Sequence, residues 1–370
     1  MKKYKIDYIL LGTVIILALF GILILASSSA SLSYEKFGNT YYFLSHQIIL
    51  GLIPGIILAF LAFRTPIAKL KRWAPILLLM NLGLMALVFM PGIGTALGGA
   101  NRWINFGPIS FQPSEFLKLT FVLYLAAWLS SRIEKAGLRK KSEEFSQTFF
   151  AFLIVIGLVA LLLIFQPDVS TLGIIVLTAA LMYFLAGTPL WHNILLVFAG
   201  TGSLFLLIRL APYRMARFLV FLKPETDPMG IGYQVKQALI TVGSGGVLGL
   251  GLGMSRQQFG FLPQSMSDSV FAIIAEETGF IGSCILILLF LTFLGRAFNM
   301  IKKTSDKFSQ LAAAGISSWI ILQVFVNIGA MIAILPLTGI PLPFIGYGGS
   351  HMVVELIGVG ILLNISKNTS

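Results

Sequence analysis

Apolar residues run through this chain in long, nearly unbroken blocks, separated by short polar stretches. Ten blocks approach the roughly 20 residues that a helix needs to cross the hydrocarbon core of a bilayer. They cover about 8–27, 46–63, 74–91, 114–131, 147–165, 169–187, 190–209, 269–294, 310–335 and 350–365. This pattern predicts an all-α polytopic membrane protein of ten transmembrane helices, with residues 1–370 forming one integral membrane domain. Two of the breaks are unusual. Residues 92–119 are rich in Gly and Pro, and 210–268, between the seventh and eighth spans, is far longer than a simple connection. The second is too apolar for a solvated linker. Its "YRMARFLVFL" puts Arg214 and Arg217 on one side of a short greasy helix, suited to lying in the membrane interface. "GYQVKQALITVGSGGVLGLGLG" reads as broken or re-entrant backbone, which survives at membrane depth only under protein or beside a wet cavity.

Composition sharpens the membrane reading. The chain is 57% hydrophobic and only 11% charged, against about 25% charged in soluble domains. Its net charge of +12 therefore belongs to loops and lipid headgroups, and no nucleic-acid-binding motif accompanies it. With ten spans, both termini share a side. Seventeen of the 26 lysines and arginines fall on that side, which predicts cytoplasmic termini. Lys2, Lys3 and Lys5 followed by an apolar run resemble a signal peptide, but the run is too long for one and reads as an uncleaved first helix. The lone Cys284 excludes an intramolecular disulfide, and His46, His192 and His351 have no metal-ligand spacing.

The charges inside or beside the spans then stand out, because each is costly there unless paired or wet. Glu115 and Lys118 are spaced i,i+3 at the start of the fourth span and share a face. Arg102, Trp103 and Gln112 precede them. Asp168 opens the sixth span and Asp268 the eighth, and Glu276 follows Asp268 about 12 Å further along the helix. Each has a plain structural reading. Asp168 and Asp268 suit helix N-caps, Lys118 can snorkel, and Glu276 and Glu277 can bond to neighbouring helices. Taken together, beside two oversized loops, they predict a polar cavity open to the outer face. The stretch from Gly243 to Gly253 fits close helix packing or a backbone nest for phosphate, with packing preferred. In "LPLTGIPLPFIGYGGSH", Pro336, Pro341 and Pro343 forbid regular helix, so an ordered loop enters the last span near Ser350.

Several long motifs now carry a resemblance: "NRWINFGPISFQPSEFLKL", "QPDVSTLG", the run from Tyr213 to Pro263, "SDSVFAIIAEETGFIG" and "TGIPLPFIGYGGS", in this order over nearly the whole chain. The sequence resembles the SEDS family (shape, elongation, division and sporulation; FtsW, RodA and SpoVE), and is closest to the FtsW branch. It departs from the family at Gln264-Ser265-Met266-Ser267, where an acidic residue and a histidine precede the catalytic aspartate. The resemblance implies a peptidoglycan glycosyltransferase that polymerises lipid II, an undecaprenyl-pyrophosphate disaccharide-pentapeptide, on the outer face of the bacterial cytoplasmic membrane, during division at the septum or during elongation. It implies a class B penicillin-binding protein as transpeptidase partner, together with other division or elongation proteins.

That chemistry needs a base, cations for the leaving pyrophosphate and a greasy groove for the lipid. Asp268 is the expected base, kept ionised by pairing with Lys118, with Glu115 and Ser350 orienting the pair. Arg102, Lys236 and Arg256 are candidates for the pyrophosphate, with Arg214 and Arg217 nearer the headgroups; Trp103, Gln112, Asp168, Gln237 and Glu276 complete the candidate binding set. A divalent cation, Mg or Mn, could share the diphosphate charge. Two other readings use the same residues: a lipid II flippase or transporter, and a non-catalytic scaffold for division proteins.

Overall fold

The structure, a computed structural model, describes residues 6–92, 94–97, 100–107, 109–136 and 141–367. Thirteen α-helices occur among these residues: α1 Tyr8–Phe37, α2 Tyr42–Gln47, α3 Ile53–Arg64, α4 Ile67–Leu87, α5 Pro113–Ala136, α6 Lys141–Phe165, α7 Val169–Leu185, α8 Leu190–Leu210, α9 Pro212–Leu222, α10 Ile231–Ser244, α11 Val270–Lys303, α12 Lys307–Met331 and α13 Gly349–Ser366. A π-helical turn, Ile48–Leu52, joins α2 to α3 without a break. Nine described helical stretches are long and apolar enough to cross a membrane, and α7, with 17 residues, is the shorter tenth. The ten expected spans are therefore all helical.

Burial shows what surrounds them. α5, α12 and α13 form the centre, and α13 lies against α3, α5 and α12 with almost its whole surface covered. The outer helices turn large apolar side chains outward, such as Ile154, Phe198 and Leu210. α8 is the extreme case, with no buried residue in its most apolar stretch. An apolar helix exposed all round is stable only in hydrocarbon. The protein is thus a membrane protein by its surface as well as by its pattern.

The two unusual connections are structured. Residues 92–111 were expected as loop; instead Gly94–Leu97 (β1), Ala100–Phe106 (β2) and Ile109–Phe111 (β3) form an antiparallel sheet in the order β1-β2-β3, with Ile104 opposite Phe111. Alternation explains this: Ile104 is buried while its neighbours Trp103 and Asn105 are not. The expected short helix near Tyr213 is α9. The Gly-rich stretch begins as helix α10, and only its second half is broken backbone.

That broken half has a definite partner. α11 is interrupted at Gly279, whose φ of 67° and ψ of −166° are not helical. The helical bonds expected from Phe280 and Ile281 to the carbonyls of Glu276 and Glu277 are lost there. Segment 246–251 replaces all four groups. Phe280 N donates to Gly246 O (2.9 Å) and Ile281 N to Val247 O (3.2 Å), while Leu250 N donates to Glu276 O (2.9 Å) and Gly251 N to Glu277 O (3.0 Å). These four main-chain groups are thereby satisfied, as a membrane interior requires. A Cβ on Gly279 would lie 2.3 Å from Gly249 N. Gly279→Ala is therefore expected to cost at least about 1–3 kcal/mol, seen as a lower melting temperature in detergent. An unchanged melting temperature would show that the kink is not constrained in this way.

Candidate functional site

A cavity of about 800 Å³ opens among β2, the start of α5, the start of α7, α9, the 260–267 turns and the 336–341 loop. Its walls carry Lys36, Arg102, Lys118, Arg214 and Arg217 against Glu115 and Asp168, so the lining is cationic overall. Trp103 and Gln112 also face it. Eight of the residues singled out from the sequence are thus brought to one site.

The start of α5 is the most strongly bonded wall. Gln112 Nε2 donates to Ser114 Oγ (3.1 Å), and Ser114 Oγ donates to Asp168 Oδ2 (3.1 Å). Asp168 Oδ1 accepts from Thr171 N (3.2 Å), so Asp168 is the N-cap of α7 as well as a cavity residue. Ser350 Oγ accepts from Gln112 N (3.1 Å), which ties α5 to the first turn of α13; Ser350 is structural there and not part of the lining. Arg102 donates from Nε to Gln166 O (2.9 Å) and from Nη2 to Pro167 O, and so anchors β2 to the turn before α7.

Glu115 and Lys118 meet as their spacing predicts, with Lys118 Nζ 2.7 Å from Glu115 Oε2. The expected pairing of Lys118 with Asp268 is not formed: Lys118 is held by Glu115, one turn away on its own helix. Asp268 stands behind the cavity wall. Its Oδ1 accepts from Ser267 Oγ (3.1 Å), and a Cβ on Gly339, which lines the cavity, would lie 3.8 Å from its Oδ2. Nor does its side chain cap α11, since Ser269 occupies the cap position without a side-chain bond. Burial raises the Asp268 carboxyl above the ordinary aspartate value. The Ser267 hydroxyl, nearby backbone N–H groups and the charge of Arg217 act in the opposite sense. The cation whose charge acts on Asp268 is therefore Arg217, which lines the same cavity. The main chain here is fixed by Asn327, whose Nδ2 donates to Asp268 O (2.7 Å) and to Ile340 O (2.8 Å).

Four candidates lie elsewhere. α10 turns Val235 and Ala238 inward, which leaves Lys236 exposed and Gln237 half-buried outside the cavity. Arg256 is exposed on the following turn. Glu276 bonds to Ser244 Oγ (3.3 Å) and to Ser255 Oγ, and Glu277 accepts from Ser27 Oγ (3.0 Å). Both glutamates tie the Gly-rich segment and α1 to the kinked helix. That packing role also decides the Gly243–Gly253 stretch in favour of close contact.

The sequence reading missed His351, Glu355, Asn327 and Gln323, the last of which lines the cavity. His351 lies in the cavity wall with Nδ1 2.8 Å from Glu115 Oε2 and Nε2 2.9 Å from Glu355 Oε1. A signal existed: His351 and Glu355 are i,i+4 in an otherwise apolar helix, the spacing of a same-face pair.

Known proteins resemble this chain along its length. The family model described as "Cell cycle protein", FTSW_RODA_SPOVE, matches residues 7–370. Stage V sporulation protein E of Bacillus subtilis is 36% identical over 366 residues, covering 99% of this chain and 98% of that protein. A probable peptidoglycan glycosyltransferase FtsW of Coxiella burnetii is 38% identical over 367 residues, covering 98% and 96%. Among solved structures, a chain from a study of how a peptidoglycan synthase complex coordinates polymerization and crosslinking superposes with a TM-score of 0.78 at 27% identity, covering 98% of each chain. The rod shape determining protein RodA of Thermus thermophilus superposes with a TM-score of 0.70 at 26% identity, covering 98% of this chain and 97% of the other.

Proposed function

The chain belongs to the FtsW, RodA and SpoVE family of cell cycle proteins and is a membrane-embedded peptidoglycan glycosyltransferase, and from that premise we propose that it polymerises lipid II in the cationic cavity, with Asp268 as general base. The observation that carries this reading is the meeting, at one cavity, of an excess of cationic side chains with a buried carboxylate, Asp268, close behind its wall. A diphosphate needs the first and a sugar hydroxyl the second.

The 4-hydroxyl of one lipid-linked disaccharide attacks the anomeric carbon of the lipid-linked chain. The hydroxyl proton passes to the Asp268 carboxylate, the new C–O bond forms, and the bond to the diphosphate breaks with its electron pair leaving on undecaprenyl diphosphate. Arg214 and Arg217 on α9, with Lys118 in the same lining, neutralise that leaving charge. Arg102 contributes through position, since its donors hold the turn before Asp168. One displacement with one base inverts the anomeric centre, by analogy with inverting glycosidases. Among the described residues no three acidic, His or Cys side chains converge as a metal site. An Mg or Mn ion here would rely chiefly on the diphosphate's own oxygens.

The basic-residue asymmetry supports cytoplasmic termini in the inner membrane, with the cavity and the α9–α10 segment on the outer side. The similarity to a chain of a peptidoglycan synthase complex supports a crosslinking partner, a class B penicillin-binding protein, and the FtsW relatives support work at the division septum. The reading is tested by reconstituting the purified protein, with and without that partner, with labelled lipid II. Glycan ladders are expected; transfer of lipid II across the bilayer without polymer would overturn the reading in favour of a transporter.

The raised Asp268 carboxyl has a consequence for pH. A base works only when deprotonated, so activity should fall on acidification, starting above the range of a free aspartate at about 3.9. Arg217 favours the charged form, so Arg217→Gln should move this acid limb to still higher pH. A limb that stays in place would detach Arg217 from Asp268.

A further inference from the structure

We propose that His351 is a buried imidazolium, a positioning residue that balances Glu115 and Glu355 and so leaves the charge of Lys118 directed into the cavity. The proposal rests on the glycosyltransferase reading above, to which it adds a residue.

Nδ1 is hydrogen-bonded to Glu115 Oε2 at 2.8 Å, and Nε2 lies 2.9 Å from Glu355 Oε1, at ion-pair distance but off the line of a hydrogen bond. Both partners are carboxylate oxygens. A neutral imidazole carries no positive charge: with its proton on Nε2 its lone pair faces the Glu115 oxygen, and with its proton on Nδ1 the buried Glu355 carboxylate is left beside an unprotonated nitrogen. Protons on both nitrogens remove that conflict.

Charge balance makes the same choice. Glu115, Lys118, His351 and Glu355 are all buried, at 6%, 2%, 3% and 0% exposure. Lys118 is already on Glu115 Oε2, the oxygen that His351 shares. Among the described residues, Glu355 meets no other cation; its Oε2 accepts only the main-chain N–H of Phe344, at 2.7 Å. With neutral His351 the group carries one net negative charge, and Lys118 must serve two carboxylates. With the imidazolium the four charges cancel.

The network also reaches the base. Glu355 holds the 335–348 loop through Phe344, a residue with φ of 63°, and the same loop places Gly339 against the Asp268 carboxylate. One ring therefore sits between the cavity's lysine and the loop that walls its aspartate.

The test has a spectroscopic and a kinetic arm. The chain has three histidines, so ¹⁵N-histidine labelling gives three ring systems, and His351→Gln assigns one by its loss. Two protonated nitrogens on the His351 ring at neutral pH are expected; a single protonated nitrogen overturns the proposal. In the kinetic arm, His351→Gln leaves one excess negative charge, and KM for lipid II should rise roughly tenfold or more with a smaller change in kcat. Adding Glu355→Gln restores neutrality. The amide it introduces still accepts from Phe344 N and can bond to the amide introduced by His351→Gln. The double variant should recover most of the loss in KM and in melting temperature. A double variant no better than His351→Gln alone overturns the charge-balance role. The arms also separate this proposal from its premise: the ring's protonation can be read in a protein without activity, whereas loss of polymerase function in the wild type would sink the glycosyltransferase reading alone.

Discussion

Lys118→Met is expected to abolish glycan polymer and to lower thermal stability at the same time. Lys118 is 2% exposed, and its ammonium lies 2.7 Å from Glu115. Removing one partner of a buried pair leaves an uncompensated charge, a loss of about 3–5 kcal/mol. Here His351 shares the burden, so the lower end is expected. The loss of activity has a second cause, because a cation has gone from the wall that faces the diphosphate. Adding Glu115→Gln separates the two. This second substitution removes the stranded charge, and the amide oxygen it introduces still accepts from His351. The double variant should therefore regain most of the melting temperature while making no polymer. Recovery of polymer along with stability would show that Lys118 serves the fold and not the substrate.

Asp268→Asn is expected to fold, bind its partner and make almost no polymer. The asparagine has the same size, its carbonyl oxygen still accepts from Ser267 Oγ, and the Asn327 bond to the main chain of residue 268 is untouched. What disappears is the carboxylate that accepts a proton. General-base removal typically costs about 10²–10⁴-fold. The burial that raises the Asp268 carboxyl outweighs its bond from Ser267 and the charge of Arg217, so the substitution removes a buried charge that is costly to keep. The melting temperature should therefore hold or rise slightly, opposite to the Lys118→Met result. A fall in activity that tracked a fall in stability would argue for a structural role.

What the sequence disclosed follows from what membranes constrain. Span length is set by bilayer thickness, so Leu190–Leu210 was legible from hydropathy alone, even though none of its apolar window is buried by protein. The Glu115–Lys118 contact was legible because i,i+3 spacing fixes it within one helix. Contacts between helices were not legible. Lys118 and Asp268 share an end of the bundle, yet the lysine chose the carboxylate on its own helix, and only packing brought the charge of Arg217 to bear on the aspartate. Glu276 read as a site residue because a buried acid normally marks function. Its partners, Ser244 and Ser255, lie 32 and 21 residues away in a segment whose fold depends on the Gly279 kink. The sheet at 94–111 was hidden for a different reason: its strands are short, and Gly and Pro between them read as loop.

The central claim is that the Asp268 carboxylate takes the proton of the attacking hydroxyl. The most direct measurement is the rate of polymerisation of saturating lipid II across pH, for the wild type and Asp268→Asn side by side. The account predicts that the wild type loses activity through an acid limb above the free-aspartate range. Asp268→Asn should run lower by at least about a hundredfold, without that limb. Near-wild-type rates for Asp268→Asn, or the same acid limb in both proteins, would contradict it.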